Sequence, residues 1–202
     1  MELFKIKHRV TRKILFSFKC ESFKACVKAA IKAGYDLRGS NLSYSDLRGS
    51  NLSDSLLRGS DLRGSNLKGS ILRGSDLNYS NLRGSNLSYS DLRGSNLSYS
   101  DLSYSDLRGS KLSGSILSCS NGKRIKIKKT PLQILGLQWP VIIFDSHMKI
   151  GCEFHSIKEW DKFNNDSINY MGSNALEFWK QNKSAIMIFC EANERGEGKD
   201  SK

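Results

Sequence analysis

The chain has 202 residues, 32 Lys and Arg against 20 Asp and Glu, and a formal net charge of +12. No stretch approaches the roughly 20 apolar residues of a membrane span, the charged N-terminus MELFKIKHRVTRK holds no signal-peptide core, and two prolines, Pro131 and Pro140, are too few for a Pro-rich linker protein. The five cysteines, Cys20, Cys26, Cys119, Cys152 and Cys190, are odd in number and lack C-x-x-C spacing, so no disulfide framework is expected and the reading is a soluble, cytoplasmic protein with reduced thiols.

Residues 1–35 hold 9 basic and 2 acidic residues. Within them, residues 3–8 and 13–19 alternate apolar side chains, notably Phe4, Ile6, Ile14, Phe16 and Phe18, across a short polar turn, which predicts a β-hairpin. A helix follows. Ser22 is its expected N-cap, Phe23, Cys26, Val27, Ala30 and Ile31 form one apolar stripe, Gly34 stops it, and Lys24, Lys28 and Lys32 line the far face. Such a unit is expected to cover the open end of what comes next, because an unpaired edge invites aggregation.

From Asp36 to Ser120 the chain is one run of seventeen five-residue units, DLRGS, NLSYS, DLRGS, NLSDS, LLRGS and onward to ILSCS, with Leu second in each, Leu37 through Leu117. A period of five drifts around a helix and alternates faces on a flat strand, so it fits neither. The chain must turn once per unit, pointing each Leu inward and hydrogen-bonding successive coils along an axis. These residues resemble the pentapeptide-repeat family, whose pattern is a small residue, Asp or Asn, a central Leu or Phe and two variable outward residues, and the match covers all 85 residues of the run. The resemblance implies an all-β repeat core, a right-handed quadrilateral β-helix of about four coils with twenty residues each, and small α+β caps at both ends. Ser stands where the family commonly has Ala, from Ser40 to Ser120. Those hydroxyls need partners, expected from carbonyls of neighbouring turns, since an unpaired buried hydroxyl costs about 1–3 kcal/mol.

Stacking units four apart gives the columns Asp36, Leu56, Asp76, Asn96; Asn41, Asp61, Asn81, Asp101; Asp46, Asn66, Asn86, Asp106; and Asn51, Ile71, Asp91, Lys111, in which no Asp sits on Asp. A three-sided coil would instead stack Asp46, Asp61, Asp76, Asp91 and Asp106 about 4.8 Å apart. The four-sided stacking also places Tyr79 against Tyr99, and Arg63 and Arg73 under Arg83 and Arg93 as paired rungs. Gly before the last Ser suits a type II turn, whereas Tyr44, Asp54 and Tyr79 at that place predict a different turn.

The solenoid segment, 36–122, is followed by a basic linker at 123–130, with Lys123, Arg124, Lys126, Lys128 and Lys129. Residues 131–192 read as an α+β unit: strands over Trp139–Phe144 and Met148–Phe154, a capping box of Ser156 with Glu159, and a longer helix opened by Ser173 and running through Cys190. Its WPV, M-x-IGC, His and EW landmarks resemble the unit attached to pentapeptide-repeat proteins of bacteriophage and prophage origin. That resemblance implies a phage-related source and a bacterial host cytoplasm. The tail 193–202, NERGEGKDSK, is expected to be disordered.

No catalytic residue, metal site or cofactor site is expected. His147, Cys152, His155 and Cys190 make only half of a zinc pattern, Cys152 with Glu153 and His155 carries no nucleophile signature, and the recurring Arg-Gly-Ser glycines serve turns rather than phosphates. The candidate interaction surface is therefore the outer face of the array and the basic run: Arg38, Tyr44, Arg58, Arg63, Tyr79, Arg83, Tyr89, Arg93, Tyr99, Tyr104, Lys123, Arg124 and Lys126, since Tyr and Arg anchor interfaces. The expected function is non-catalytic binding of a host or phage macromolecule, with a protein as partner. Family members that resemble DNA and engage DNA gyrase suggest modulation of a DNA-binding enzyme or a defence protein, though interleaved Asn and Arg argue against DNA mimicry here. The alternative is direct nucleic-acid or nucleotide binding through the basic caps and tyrosines. No membrane partner is expected; a homodimer would use Trp160, Phe163 or Trp179 where the local core does not need them.

Overall fold

The computed structural model describes residues 1–196. It divides into two compact units, Met1–Pro131 and Leu132–Lys202. In the first, β1 (Glu2–Lys7) and β2 (Ile14–Cys20) pair antiparallel, Phe4 opposite Phe18 and Ile6 opposite Phe16. Helix α1 (Phe23–Lys32) starts where the Ser22 hydroxyl accepts the Ala25 N–H at 3.1 Å, and buries Cys26, Val27 and Ala30. The hairpin covers the first coil as expected: Asn41 N–H donates to the Lys7 carbonyl and Arg9 N–H to the Gly39 carbonyl, both at 2.7 Å. Lys24 does not lie on a far face; its Nζ donates to the Arg48 carbonyl of the array.

In the array each unit pairs in parallel with the unit four places on, Asn41 with Asp61, Asp61 with Asn81, Asp46 with Asn66 and so through Asp91 with Lys111. The four columns read from the sequence are thus the columns that form. Three backbone bonds per unit tie each coil to its neighbours, as where Leu42 N–H donates to the Asp61 carbonyl, Tyr44 N–H to the Arg63 carbonyl and Asp61 N–H to the Ser40 carbonyl, all 2.8 Å. Every second-place Leu from Leu37 to Leu117 is buried, none more than 3% exposed, whereas Leu56, at the head of its unit, is 47% exposed. The pairing consists of single bridged residues, apart from β3 (Asn96–Leu97) and β4 (Ile116–Ser118), because each unit turns before a longer strand can extend.

The turns do not vary as expected. Tyr44, Asp54, Tyr79, Tyr89, Tyr99 and Tyr104 sit at φ between +54° and +59°, beside Gly59 at +66° and Gly64 at +60°. The same bond closes both kinds of turn, Ser60 N–H to Leu57 carbonyl and Ser80 N–H to Leu77 carbonyl at 3.0 Å. The residue's own N–H is committed to the next coil, Tyr44 to Arg63 at 2.8 Å and Tyr79 to Ser98 at 3.0 Å. That ladder holds the left-handed backbone against a cost of about 1–2 kcal/mol for a residue with a side chain. The serine hydroxyls also differ from expectation: most, such as Ser60, Ser65 and Ser75, donate to the Leu carbonyl of their own turn, while Ser70 and Ser80 reach the preceding coil at Leu47 and Leu57. The buried hydroxyls of Ser40, Ser50 and Ser85 have no hydrogen-bond partner among the described residues.

The segment expected as a linker, 123–130, is part of the repeat unit. Strand β5 (Arg124–Lys126) pairs antiparallel with β4, Leu117 opposite Ile125. Ile127, 1% exposed, continues the pairing by donating to the Ser115 carbonyl and accepting from Gly114. The lysines mask a two-residue apolar alternation of Ile125 and Ile127, which is what the edge of the last coil takes up.

The second unit is an antiparallel sheet in the order β6 (Leu132–Ile134), β7 (Val141–Ile143), β8 (His147–Ile150), β9 (Glu153–Ser156). The expected strand Met148–Phe154 is two, divided at Gly151, whose φ is +56°, and β6 was not expected. Helix α2 (Ile157–Lys162) carries the complete capping box, Ser156 Oγ accepting from Glu159 N–H at 3.1 Å and Glu159 Oε2 from Ser156 N–H at 2.8 Å. Short α3 (Asn165–Asn169) follows Asn164, and α4 (Ala175–Ala192) starts after Asn174 at φ +62° rather than at Ser173. Trp160 and Trp179, 3% and 4% exposed, lie in this unit's core with Phe163 packed on them, so the residues considered for a dimer face are occupied locally. Of the expected disordered tail, residues 193–196 turn back: Arg195 N–H donates to the Cys190 carbonyl and Gly196 N–H to the Asp145 carbonyl. The rest of it, 197–202, lies outside the described residues.

Candidate interaction surface

The outward positions follow a local rule. Asp or Asn at the head of a unit accepts, through Oδ1, the N–H two residues on, as Asp46 does from Arg48 at 3.2 Å and Asn41 from Ser43 at 3.1 Å. Where the unit reads Asp-Leu-Arg, the guanidinium folds back on the same carboxylate. Arg48 reaches Asp46 at 2.8 and 2.6 Å, Arg63 reaches Asp61 at 2.9 and 2.6 Å, Arg93 reaches Asp91 at 2.8 and 2.6 Å, Arg108 reaches Asp106 at 2.9 and 2.7 Å, and Arg38 is held by Asp36 likewise. The side-chain hydrogen bonds from Arg48 and Arg93 hold the carboxyls of Asp46 and Asp91 down to about 2, and Arg63 and Arg108 depress Asp61 and Asp106 by the same cause. Of the candidate cations, Arg38, Arg63 and Arg93 are therefore compensated inside their own unit.

Arg58, Lys68 and Arg83 have Leu56, Asn66 and Asn81 at the head of their units and so lack that carboxylate. Each lies over a tyrosine of the next coil: Arg58 over Tyr79 at 5.6 Å, Lys68 over Tyr89 at 5.7 Å and Arg83 over Tyr104 at 5.1 Å from the ring centroid. Arg73, after Ile71, reaches Asp91 at 3.4 Å and shares it with Arg93. Of the expected rungs, Arg63 is held by Asp61 and Arg83 lies over Tyr104, while Arg73 and Arg93 meet on the one carboxylate of Asp91. Lys68 escaped sequence reasoning; Asn66 in place of Asp, ahead of it, is the signal.

The tyrosines lean toward the following coil. Tyr44 covers Gly64 and Tyr89 covers Gly109 so closely that a Cβ on either glycine would lie 2.6 or 2.7 Å from the ring. Tyr79 and Tyr99 stack as expected, centroids 5.0 Å apart and planes within 8°. Arg124, brought in by β5, lies over the other side of Tyr99 at 5.6 Å. The result is a four-membered column, Arg58, Tyr79, Tyr99, Arg124. The other candidates do not join it: Arg63, Arg83, Tyr44 and Tyr104 follow the column headed by Asn41, Tyr89 the one headed by Asp46, Arg93 the one headed by Asn51, Arg38 is held by Asp36, and Lys123 and Lys126 flank Arg124 on exposed backbone.

In the second unit, Cys152 is exposed and its Sγ lies 3.9 Å from Glu153 Oε1, while Glu153 Oε2 meets His155 Nε2 at 3.0 Å. The carboxylate thus stands between thiol and imidazole, which is not a thiol-base pair. His155 is packed edge-on against Trp160 and Phe163, and His147 Nδ1 contacts Ser146 Oγ at 2.9 Å. Burial pushes the Cys190 thiol up to about 11. No group of three or more His, Cys, Asp or Glu is placed to hold a metal ion, and no helix is long and apolar enough to cross a membrane, among the described residues.

The family model for pentapeptide repeats matches residues 36–74 and 75–114 in 8 copies. Among solved structures, the chain is similar to a pentapeptide repeat protein from Nostoc, with 32% identity over 48% of this chain and 81% of that one at a TM-score of 0.27. It is also similar to a pentapeptide repeat protein from the Arabidopsis thaliana thylakoid lumen, with 27% identity over 41% of this chain and 61% of that one at a TM-score of 0.28, so it spans less than two thirds of that relative. A third is HetL, a pentapeptide repeat protein involved in heterocyst differentiation regulation from Nostoc, with 32% identity over 44% and 46% at a TM-score of 0.19. A search of curated proteins finds no match.

Proposed function

The chain belongs to the pentapeptide-repeat family, and from that premise we propose that it is a non-catalytic interaction protein that binds a protein partner through the outward side chains of its array. Members of the family are generally structural or interaction proteins. The observation that carries the proposal is the sorting of cations. Five arginines are neutralised within their units, which leaves Arg58, Lys68, Arg83 and Arg124 beside tyrosines on a backbone fixed by inter-coil bonds. Fixed aromatic and guanidinium groups bind with little ordering cost. The right-handed coil that the family implies sets the order of these columns around the axis. Mimicry of a DNA duplex is disfavoured, since Asp36, Asp46, Asp61, Asp91 and Asp106 are each held by an arginine and present no continuous acidic track. A bacterial host or phage protein, including a DNA-binding or defence enzyme, is the partner to look for.

The test is affinity capture from bacterial lysate with the full chain as bait, at two salt concentrations. Retention of a defined protein that survives nuclease treatment is the expected result. Retention of nucleic acid alone, with a steep loss as salt rises, would replace this reading by the nucleic-acid one.

A further inference from the structure

We propose that the column Arg58, Tyr79, Tyr99, Arg124 is the recognition surface and that its ligand is an acidic protein segment, gripped by carboxylates at both ends. The proposal rests on the interaction reading above. Arg58 and Arg124 have no carboxylate partner among the described residues, whereas Arg48, on the column headed by Asp46, is held by that carboxylate. A guanidinium lying on a ring keeps its donor edge free while its position is fixed, which suits it to a bidentate carboxylate. Successive members are 5.6, 5.0 and 5.6 Å apart. The two forks therefore stand on the order of 16 Å apart, the reach of about five extended residues or about eleven helical ones. Between them Tyr79 and Tyr99 remain 50% and 42% exposed and offer ring edges and hydroxyls.

One feature favours a protein over a nucleic acid. Both faces of both rings are taken, Tyr79 by Arg58 and Tyr99, Tyr99 by Tyr79 and Arg124, so no nucleobase has a face to stack on.

The experiment titrates the full chain with a fluorescent twelve-residue oligoglutamate peptide and with a single-stranded oligonucleotide of equal charge, at low salt, following anisotropy. The expected result is saturable peptide binding that weakens at least about tenfold in Arg58→Gln/Arg124→Gln, each lost contact being a charge-assisted hydrogen bond. Arg48→Gln, equally exposed but already paired, should change it less than about twofold. Tyr79→Gly/Tyr99→Gly puts at both turns the residue their backbone favours, leaves both cations and removes the platform; it should weaken binding as well. Equal losses in Arg48→Gln and Arg58→Gln/Arg124→Gln, no loss in the tyrosine variant, tighter binding of the oligonucleotide, or no peptide binding at all would each overturn the proposal. The lysate capture repeated with Arg58→Gln/Arg124→Gln separates the two readings: undiminished capture removes this column and leaves the interaction role, and no capture by either chain removes both.

Discussion

The space open to the fourth residue of a unit is set by the unit four places back. Gly84 has open space where a Cβ would point, while Gly109 would meet the Tyr89 ring at 2.7 Å, and both have φ +65°. Gly84→Ala should cost about 1–2 kcal/mol from the left-handed backbone alone, and Gly109→Ala more; urea denaturation of the pair, with Tyr89→Gly added to the second, should show the excess vanish with the ring. Ser85 makes the opposite case, since its buried hydroxyl has no hydrogen-bond partner among the described residues. Ser85→Ala should therefore stabilise by about 1 kcal/mol, whereas Ser90→Ala, which removes a bond to the Leu87 carbonyl, should not. Cysteine reactivity is set by position too. Cys20, Cys26, Cys119 and Cys190 are buried and Cys152 is exposed, with the Cys26 and Cys190 thiols pushed up by burial. Brief iodoacetamide treatment at neutral pH, read by mass spectrometry, should label Cys152 alone; a labelled Cys190 would contradict the packing.

At the scale of the five-residue element, the Asp-Leu-Arg unit is a closed electrostatic circuit. Asp46 and Asp91 ordinarily titrate at 3.8 and are held down to about 2 by Arg48 and Arg93. A carboxyl depressed on folding binds fewer protons folded than unfolded, so its contribution is complete above the unfolded value and is lost as pH falls toward the folded one. The urea midpoint should stay level from pH 7 to about 5 and decline between about 4 and 2, and Asp46→Asn/Asp91→Asn should flatten that decline. The Leu period and the Asp/Asn alternation were legible because they depend on residues in the same or the stacked unit. Strand β5 was not, since the lysines among Ile125 and Ile127 read as charge first; nor was the break at Gly151, because an apolar run gives no sign of where it folds back on itself.

At the scale of the whole molecule, the chain closes two separate sets of bonds, one ending with β5 and Pro131, the other built on the β6–β9 sheet and its helices. A chain cut after Pro131 should keep the circular dichroism and cooperative melting of the repeat unit, because the described pairing of the last coil uses Ile125 and Ile127 on the near side of the cut; loss of cooperativity would show that the unit needs more. The sequence by itself determined the inward Leu of each unit and the N-terminal cover, and with the family resemblance the coil of twenty residues and the Tyr79–Tyr99 stack, for a period of five fixes which Leu turns inward and the four-column register separates every Asp. Only the tertiary structure decided which cations are free. A guanidinium reaches as readily for a carboxylate in its own unit as for a ring in the next coil, and Arg124 joins the column solely because β5 folds back onto β4, a contact between segments that no five-residue pattern encodes.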